Sequence, residues 1–362
     1  MAMSLIWLPM YKRLTTQIGA DSSVMAMSFG FGSFVAFLVL RQLQRLPHLT
    51  LFAIAAEALL VVSVLVAKKE IIREASDLQL MIVAFFAIGI AQAFVFSILQ
   101  AMMFRNVSRQ HAFRLRSIGT LGFGFGVGMY LTNLTHDSAI ELAIYLLALV
   151  AVMLLAALKG NELPPVNSDA GTTTLHPVIV MILLLSFMAS FLEGVNGQTA
   201  QKWLTESMNE TNALMLILTG LLLEGILLLF VAPYVSDALL VLVGFFGWFL
   251  VFQGFAMSNY SLSVCSFCNC ALGFTLASYL ARCHRPSFQA LLCVMNAVGT
   301  QVACVSILSC RLFLGEEYIA FVAIVAASVA LVLSASTVYR IREWAKDLDR
   351  PNVQTTVNQH PQ

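Results

Sequence analysis

The stretch ALLVLVGFFGWFLVFQGFAMSNYSLSVCSFCNCALGFTLASYLA, from Ala238 to Ala281, contains no charged residue. A transmembrane helix needs about 20 mostly apolar residues to cross the hydrocarbon core of a bilayer. This stretch has 44 residues, which is enough for two crossings. Its middle holds Ser258-Asn259-Tyr260-Ser261, a cluster of residues that is typical of turns. The sequence therefore predicts a helical hairpin that crosses a membrane twice.

The composition of the whole chain indicates an integral membrane protein. Apolar residues make up 59% of the 362 residues and charged residues only 11%, whereas charged residues make up about 25% of soluble domains. A soluble globule of this size needs more charge to cover its surface, so the class of soluble enzymes is excluded. The net charge of +1 provides no basic excess for a phosphate backbone, which excludes nucleic acid as a partner.

The remaining spans are found by the same search for long apolar stretches. Stretches without any charge, and stretches with a single acidic residue, bring the number of complete spans to eleven: Val24 to Leu40, Thr50 to Ala67, Leu80 to Phe104, Ser117 to Leu134, Ala139 to Leu158, Pro177 to Leu204, Asn212 to Val235, the two halves of the hairpin, Ser287 to Cys310 and Tyr318 to Tyr339. Met1 to Met10 is apolar but too short to cross, and we interpret it as the far end of a truncated first helix.

Charge and composition between the spans predict the topology and the domains. One side of the membrane receives thirteen basic residues and the other seven, which predicts a cytoplasmic C-terminus in a cell membrane, with a bacterial inner membrane as the expected location. The hydrophilic stretch 159–176 contains Pro164-Pro165 and is typical of a linker. We therefore expect an N-terminal helical bundle at 1–158, a cytoplasmic linker at 159–176, a C-terminal bundle at 177–340 and a cytoplasmic tail at 341–362.

The segment RLRSIGTLGFG, from Arg114 to Gly124, points to a family. It resembles the R-x-W-G-S-x-G entry of the fifth helix in the nucleoside:proton symporters and the lactose-permease-like sugar symporters of the major facilitator superfamily. The plan of six helices, a central loop and six helices is also the plan of that superfamily. The resemblance implies an all-α polytopic membrane protein with two six-helix bundles, the first helix being truncated here, and transport by alternating access at a midplane site.

Basic residues and glycines of this segment form the candidate gating and packing motif: Arg114, Arg116, Gly119, Gly122 and Gly126. Gly122 and Gly126 are four residues apart and lie on one strip of the helix, where a neighbouring helix can approach at backbone distance. This strip serves either static helix packing or the rocking of one bundle against the other.

Acidic residues at membrane depth are the strongest functional signal, because such residues are costly there and persist mainly where they function or are paired. Glu193 lies about 24 Å into its helix at 1.5 Å per residue. Asn196 shares its face and Gln201 lies two turns further on. We interpret Glu193 as a proton-coupling and substrate residue, the alternative being a neutral carboxyl that is bonded to a neighbouring helix.

Four further polar residues lie within spans and complete the candidate site. Glu224 and Glu57 serve either proton coupling or structural pairing. Gln92 and Gln100 are two turns apart on one helix and either line a polar path or join helices.

Trp248 lies in the middle of a span, and we expect it to face lipid, the alternative being a ring that stacks on a base or sugar. The Cys265 to Cys270 segment offers one C-x₂-C pair without a nearby histidine, so we expect no metal and no cofactor. No catalytic constellation lies within the spans, so we expect no enzyme activity.

The sequence thus predicts a monomeric symporter that moves a small hydroxylated solute, a nucleoside or a sugar, together with protons. Two alternatives remain open, namely an exporter or antiporter with the same fold and a degenerate facilitator-like protein that does not transport.

Overall fold

The computed structural model describes residues 19–43, 49–72, 78–131, 176–207, 210–281 and 286–349 of the chain. These ranges are almost entirely helical and contain no β-strand. They form the following ten α-helices: α1 Gly19–Leu43, α2 Leu49–Ile72, α3 Leu78–Asn106, α4 Arg109–Leu131, α5 Pro177–Ser207, α6 Glu210–Ile226, α7 Asp237–Ala256, α8 Cys268–Ala281, α9 Pro286–Ser309 and α10 Glu317–Asp349. A π-helical turn extends α6 over Leu227–Val231 and another extends α9 over Cys310–Leu314.

Six helical segments in the described ranges are long and apolar enough to cross a membrane: Gln79–Ile98, Pro177–Gly197, Asp237–Ala256, Tyr260–Leu280, Ser287–Leu314 and Glu317–Trp344. Shorter apolar helices cover Met27–Leu43, Phe52–Ser63 and Leu218–Val231. The N-terminal segment Met1 to Met10, the span from Ala139 to Leu158 and nearly all of the linker lie outside the described residues. The total of eleven spans therefore stays a prediction.

The hairpin between Ala238 and Ala281 is confirmed. Helix α7 ends at Ala256, and Ser258 adopts a left-handed backbone conformation with φ of 57° at the turn. The return limb begins as a 3₁₀-helix over Tyr260–Phe267 before α8 starts. Gly254 allows the two limbs to meet, since a Cβ atom there would lie only 2.7 Å from the carbonyl oxygen of Asn259.

Buried side chains form two large apolar cores. One core joins α5, α7, α8, α9 and α10, with the fully buried rings of Phe245 and Phe252 near its centre. The other joins α1, α2 and α3, and it also receives Ala290 from α9. Helices of the first half meet those of the second where α1 and α3 pack on α9, α3 packs on α8, and α4 packs on α6. We call these contacts the seam. The domain boundaries at residues 158 and 177 stay predictions.

Close packing of α5 on α9 sets the rotation of α5. A Cβ atom at Gly194 would lie 2.9 Å from the Cβ atom of Ala303 and 3.2 Å from the Cα atom of Thr300. Gly194 is therefore pressed against α9, and the preceding residue, Glu193, points in a different direction around the helix.

The last helix is joined to the start of α5. Trp344 near the end of α10 stacks on His176, with ring centroids 5.9 Å apart and planes 21° apart. The His176 ring also accepts a hydrogen bond at Nδ1 from the backbone N–H of Val178. Ile341, 1% exposed, anchors the same part of α10 in the apolar core.

Candidate functional site

Glu193 presents an exposed side chain in the middle of an apolar helix. Its neighbour Leu192 is fully buried, and Gly194 is buried against α9. A carboxyl group that is exposed at membrane depth needs polar surroundings, since lipid would not solvate it. Two groups from other helices provide them, namely the Asn269 side chain of α8, which hydrogen-bonds to the carboxyl, and the Arg116 charge of α4.

Asn269 connects Glu193 to a buried tryptophan. The indole Nε1–H of Trp248 donates a hydrogen bond of 3.0 Å to the Asn269 Oδ1 atom. Because Oδ1 is engaged as an acceptor, the Asn269 amide N–H₂ is left to donate to the Glu193 carboxyl. The hydrogen bonds with Trp248 and Glu193 thus fix the orientation of the Asn269 amide from both sides.

The expectation that Trp248 faces lipid is wrong. Its side chain is only 2% exposed and packs in the core that joins α5 and α7 to α10, with its ring stacked 5.8 Å from that of Phe252. The physical reason is the indole N–H, which needs an acceptor inside the membrane and finds one in Asn269. Asn269 was not predicted from the sequence, although an amide within a charge-free span is itself a signal of an interior polar contact.

Glu224 lies at the contact of α4 and α6. The Thr120 hydroxyl donates to its Oε1 atom over 3.3 Å, and the Ser117 hydroxyl donates to the Gly225 carbonyl oxygen over 2.7 Å. Glu224 also interacts electrostatically with Cys268, the residue directly before Asn269. The carboxyl groups of Glu193 and Glu224 are therefore linked to consecutive residues of α8.

The remaining polar residues of the predicted site are distributed over several helices. Asn196 Oδ1 and Gln92 Oε1 are buried and have no hydrogen-bond partner within the described ranges. Glu57, 9% exposed, lies on α2 among residues that pack against α3, apart from the contacts of Glu193. The side chain of Gln201 lies outside the described residues, and Gln100 is buried near the seam.

The glycines of α4 differ from the prediction of close packing. A Cβ atom at Gly119 or Gly122 would meet no described atom within 4 Å, so no described helix makes the close approach predicted at Gly122. The close approach occurs instead at Gly225 of α6, where a Cβ atom would overlap the Leu121 side chain. The Leu121 side chain of α4 lies between the two helices, so the facing position of α6 has no room for a side chain and is occupied by glycine. The surroundings of Gly126 lie outside the described residues.

The start of α4 carries an interhelical arginine contact. The Arg109 guanidinium donates to the Asp237 carboxylate and to the carbonyl oxygens of Pro233 and Val235, with Nε to Oδ1 at 2.8 Å. Its carbon Cζ lies 4.9 Å from the ring centre of Phe113, which in turn meets Phe274 edge-on at 5.0 Å. We call the contacts of Arg109 the lock.

Arg114 also contacts the second half of the chain, where it donates to the Tyr234 hydroxyl over 3.2 Å. The other contacts of α4 with the second half form one stripe, which consists of Arg109, Phe113, Ser117 and Thr120. Asp237 was not predicted from the sequence, where its signal was a position directly before the hairpin. Within the described part of the chain, no group of three or more histidine, cysteine or acidic residues is arranged to hold a metal ion.

Comparison with known proteins gives no match by sequence and clear matches by structure. No family model matches the chain, and no curated protein sequence matches it. The nucleoside transporter NupG has a TM-score of 0.60 at 14% identity, over 94% of this chain and 96% of its own. The chain has the major facilitator fold.

Two further structures of this fold match over most of their length. FucP, the E. coli fucose:proton symporter, gives a TM-score of 0.64 in its outward conformation at 14% identity, over 92% of this chain and 94% of its own. A bacterial homologue of the iron transporter ferroportin in the outward-facing state gives 0.63 at 13% identity, over 92% and 95%. The chain is thus a multi-pass membrane protein, and the expected major facilitator fold is confirmed.

Proposed function

We propose that this protein is a secondary active transporter that moves a small hydroxylated solute, a nucleoside or a sugar, together with protons by alternating access. The observation that carries the proposal is Glu193, an exposed carboxyl at membrane depth that is hydrogen-bonded to Asn269 and faces the Arg116 charge. An ionisable group in such a position is costly to a membrane protein and persists mainly where it is paired or where it binds a proton, an ion or a substrate.

The polar groups around Glu193 suit a solute with hydroxyl groups. Carboxyl oxygens accept hydrogen bonds from hydroxyls, and the Arg116 guanidinium donates to oxygen acceptors. Asn196 Oδ1 and Gln92 Oε1 are acceptors without a partner among the described residues, and they supply further contacts if the site closes around a solute. Two proteins with the same fold are a nucleoside transporter and a fucose:proton symporter, which supports the same solute class.

The seam supports alternating access. Arg109, Phe113, Ser117 and Thr120 hold α4 against the second half of the chain, while the side chain of Glu193 is exposed. We interpret this arrangement as closed on the predicted cytoplasmic side and open towards the other side. The solved FucP and ferroportin-homologue structures are both described as outward.

Proton coupling requires that the proton and the solute favour the same state of the protein. If protonation of Glu193 strengthens solute binding by some factor, solute binding strengthens protonation by the same factor. Protonation of Glu193 weakens its hydrogen bond from the Asn269 amide and removes its attraction to the Arg116 charge, so that both groups become available to a solute.

Glu193→Gln tests this function in proteoliposomes with labelled nucleosides and sugars. Glutamine keeps the size and hydrogen bonding of the protonated acid but does not titrate. We expect the variant to lose accumulation driven by a pH step and to retain exchange of labelled for unlabelled solute. The matched control is Glu316→Gln, because Glu316 is 40% exposed and pairs with Arg311 at the helix ends, away from the contacts of Glu193.

Each result of this assay has a definite meaning. Accumulation by Glu193→Gln in response to a pH step contradicts the coupling role. Solute that leaves rather than enters vesicles as protons move inward indicates the antiporter, and the absence of exchange for every solute tested indicates a protein that does not transport.

A further inference from the structure

Four buried side-chain oxygen atoms near the seam have no hydrogen-bond partner among the described residues. One of them, Ser97 Oγ, lies beside the Cys293 thiol. The other three are Gln100 Oε1 on α3, Thr275 Oγ1 on α8 and Gln289 Oε1 on α9. Gln100 is 7% exposed, and Thr275 and Gln289 are fully buried. We call these three residues the polar belt. Most buried polar atoms in proteins have a partner, so three such atoms on helices that pack together need a physical explanation.

Contacts between the helices bring the belt together. Ser97 lies beside the Cys293 thiol and so joins α3 to α9. Gln100 is one turn from Ser97, and Gln289 is one turn from Cys293. The Gln289 amide N–H₂ donates to the Ala277 carbonyl oxygen over 2.7 Å, which joins α9 to α8.

Thr275 lies on the face of α8 that meets the first half of the chain. Ala271 and Phe274 of that face pack with Ala112 and Phe113 of α4. Thr275 follows Phe274, and Ser278 one turn later is also buried and donates to the Thr275 carbonyl oxygen over 2.7 Å. The Thr275 hydroxyl oxygen is therefore enclosed where α8 contacts the first half.

We propose that the polar belt favours opening of the seam and thereby opposes the lock. When the seam is open, water hydrogen-bonds to the three oxygen atoms. When it closes, no group among the described residues replaces that water, and each atom loses part of its solvation. This inference rests on the proposed function, because it requires that the seam opens during transport.

The belt and the lock act in opposite directions on one equilibrium. Arg109 gains three partners when the seam is closed, whereas the belt loses hydration in the same state. A transporter must populate both states, so a closed seam that is too stable would slow the cycle. The belt keeps the closed state from becoming too stable.

Replacement of a belt residue by an apolar side chain of similar shape tests the proposal. Thr275→Val and Gln100→Leu remove an unpartnered oxygen while preserving the volume of the core. Each substitution should lower the open fraction by about tenfold, the effect of one unsatisfied buried polar group. The matched control is Thr199→Val, since Thr199 is also buried but its hydroxyl already donates to the Val195 carbonyl oxygen over 2.6 Å.

Hydrogen exchange on the full chain measures the open fraction without solute or a proton gradient. Peptides 107–116 and 230–240 contain the residues of the lock, so we expect their backbone amides to exchange faster when the seam is open and their rates to follow the open fraction. We expect rates about tenfold slower in Thr275→Val and Gln100→Leu relative to peptides of α10, and unchanged rates in Thr199→Val.

Unchanged or faster exchange at the seam in both belt variants overturns the proposal, because it shows that the oxygen atoms are satisfied in the closed state. A variant with faster exchange throughout the chain has lost stability in general, and the other belt variant then decides. The hydrogen-exchange measurement involves no solute, so its outcome is separate from that of the transport assay. If the transport assay fails while the belt variants show the expected slower hydrogen exchange, the proposed function is contradicted and the proposal about the belt still holds.

Discussion

The lock at Arg109 gives a quantitative prediction about the two states of the protein. Arg109→Gln removes the guanidinium that joins α4 to Asp237 and to the carbonyl oxygens of Pro233 and Val235. Glutamine retains one donor group but neither the charge nor the planar fork, so it cannot serve all three acceptors. We expect the closed seam to lose stability relative to the open seam.

The size of the effect follows from burial. The side chains of Arg109 and Asp237 are 28% and 11% exposed, so solvent screens the pair less than it screens a surface ion pair. Hydrogen bonds to charged groups contribute about 1.5–3 kcal/mol each, and closing the seam also orders the arginine side chain, so a net loss of about 2–3 kcal/mol is expected. This corresponds to an increase of roughly 30- to 150-fold in the ratio of open to closed protein.

Pulsed electron paramagnetic resonance between nitroxides at positions 110 and 342 measures that ratio in a background without native cysteines. Gln110 and Arg342 are both exposed, one at the start of α4 and the other near the end of α10. We expect a longer distance to gain population in Arg109→Gln. Arg311→Gln is the control, because Arg311 and Glu316 are 39% and 40% exposed and such pairs contribute little. An unchanged distance distribution in Arg109→Gln would refute the reasoning.

Two further predictions concern packing and the hydrogen-bonded indole. Gly225→Ala should lower the melting temperature and the transport rate, because the added Cβ atom overlaps the Leu121 side chain. Gly122→Ala should leave both unchanged, because a Cβ atom there meets no described atom within 4 Å. Equal effects of the two substitutions on thermal unfolding would contradict the assigned helix contact. Trp248→Phe keeps an aromatic ring in the core but leaves Asn269 Oδ1 without its donor, so it should lower stability by about 1–3 kcal/mol; unfolding that is the same as wild type would show that this bond contributes nothing.

Hydropathy and charge were sufficient to predict the fold type, since long charge-free stretches have few alternatives to membrane helices. The hairpin from Ala238 to Ala281 shows both the strength and the limit of this reasoning. Its turn was predicted from Ser258 and its neighbours, but the 3₁₀ conformation of Tyr260–Phe267 was not. That limb packs against α7 at Gly247 and Gly254, and the local sequence does not show which residues will meet in this way.

The candidate site was predicted only in part, for a related reason. Glu193 was recognisable because a carboxyl at membrane depth is rare, and Arg116 because of its motif. Asn269 and Asp237 were missed, since their significance depends on which helices face each other. The same applies to Gly225, because glycine spacing within one helix does not show which helix supplies the bulky side chain.

The contacts of α8 have a mechanical consequence for the two carboxyl groups. Asn269 meets Glu193, and Cys268 lies in the field of Glu224. Consecutive residues of an α-helix point about 100° apart around its axis. Both residues belong to one helix, so a rotation of α8 about its axis changes the surroundings of Glu193 and of Glu224 at the same time. Helix α8 therefore connects the two carboxyl groups mechanically, through the position of its backbone.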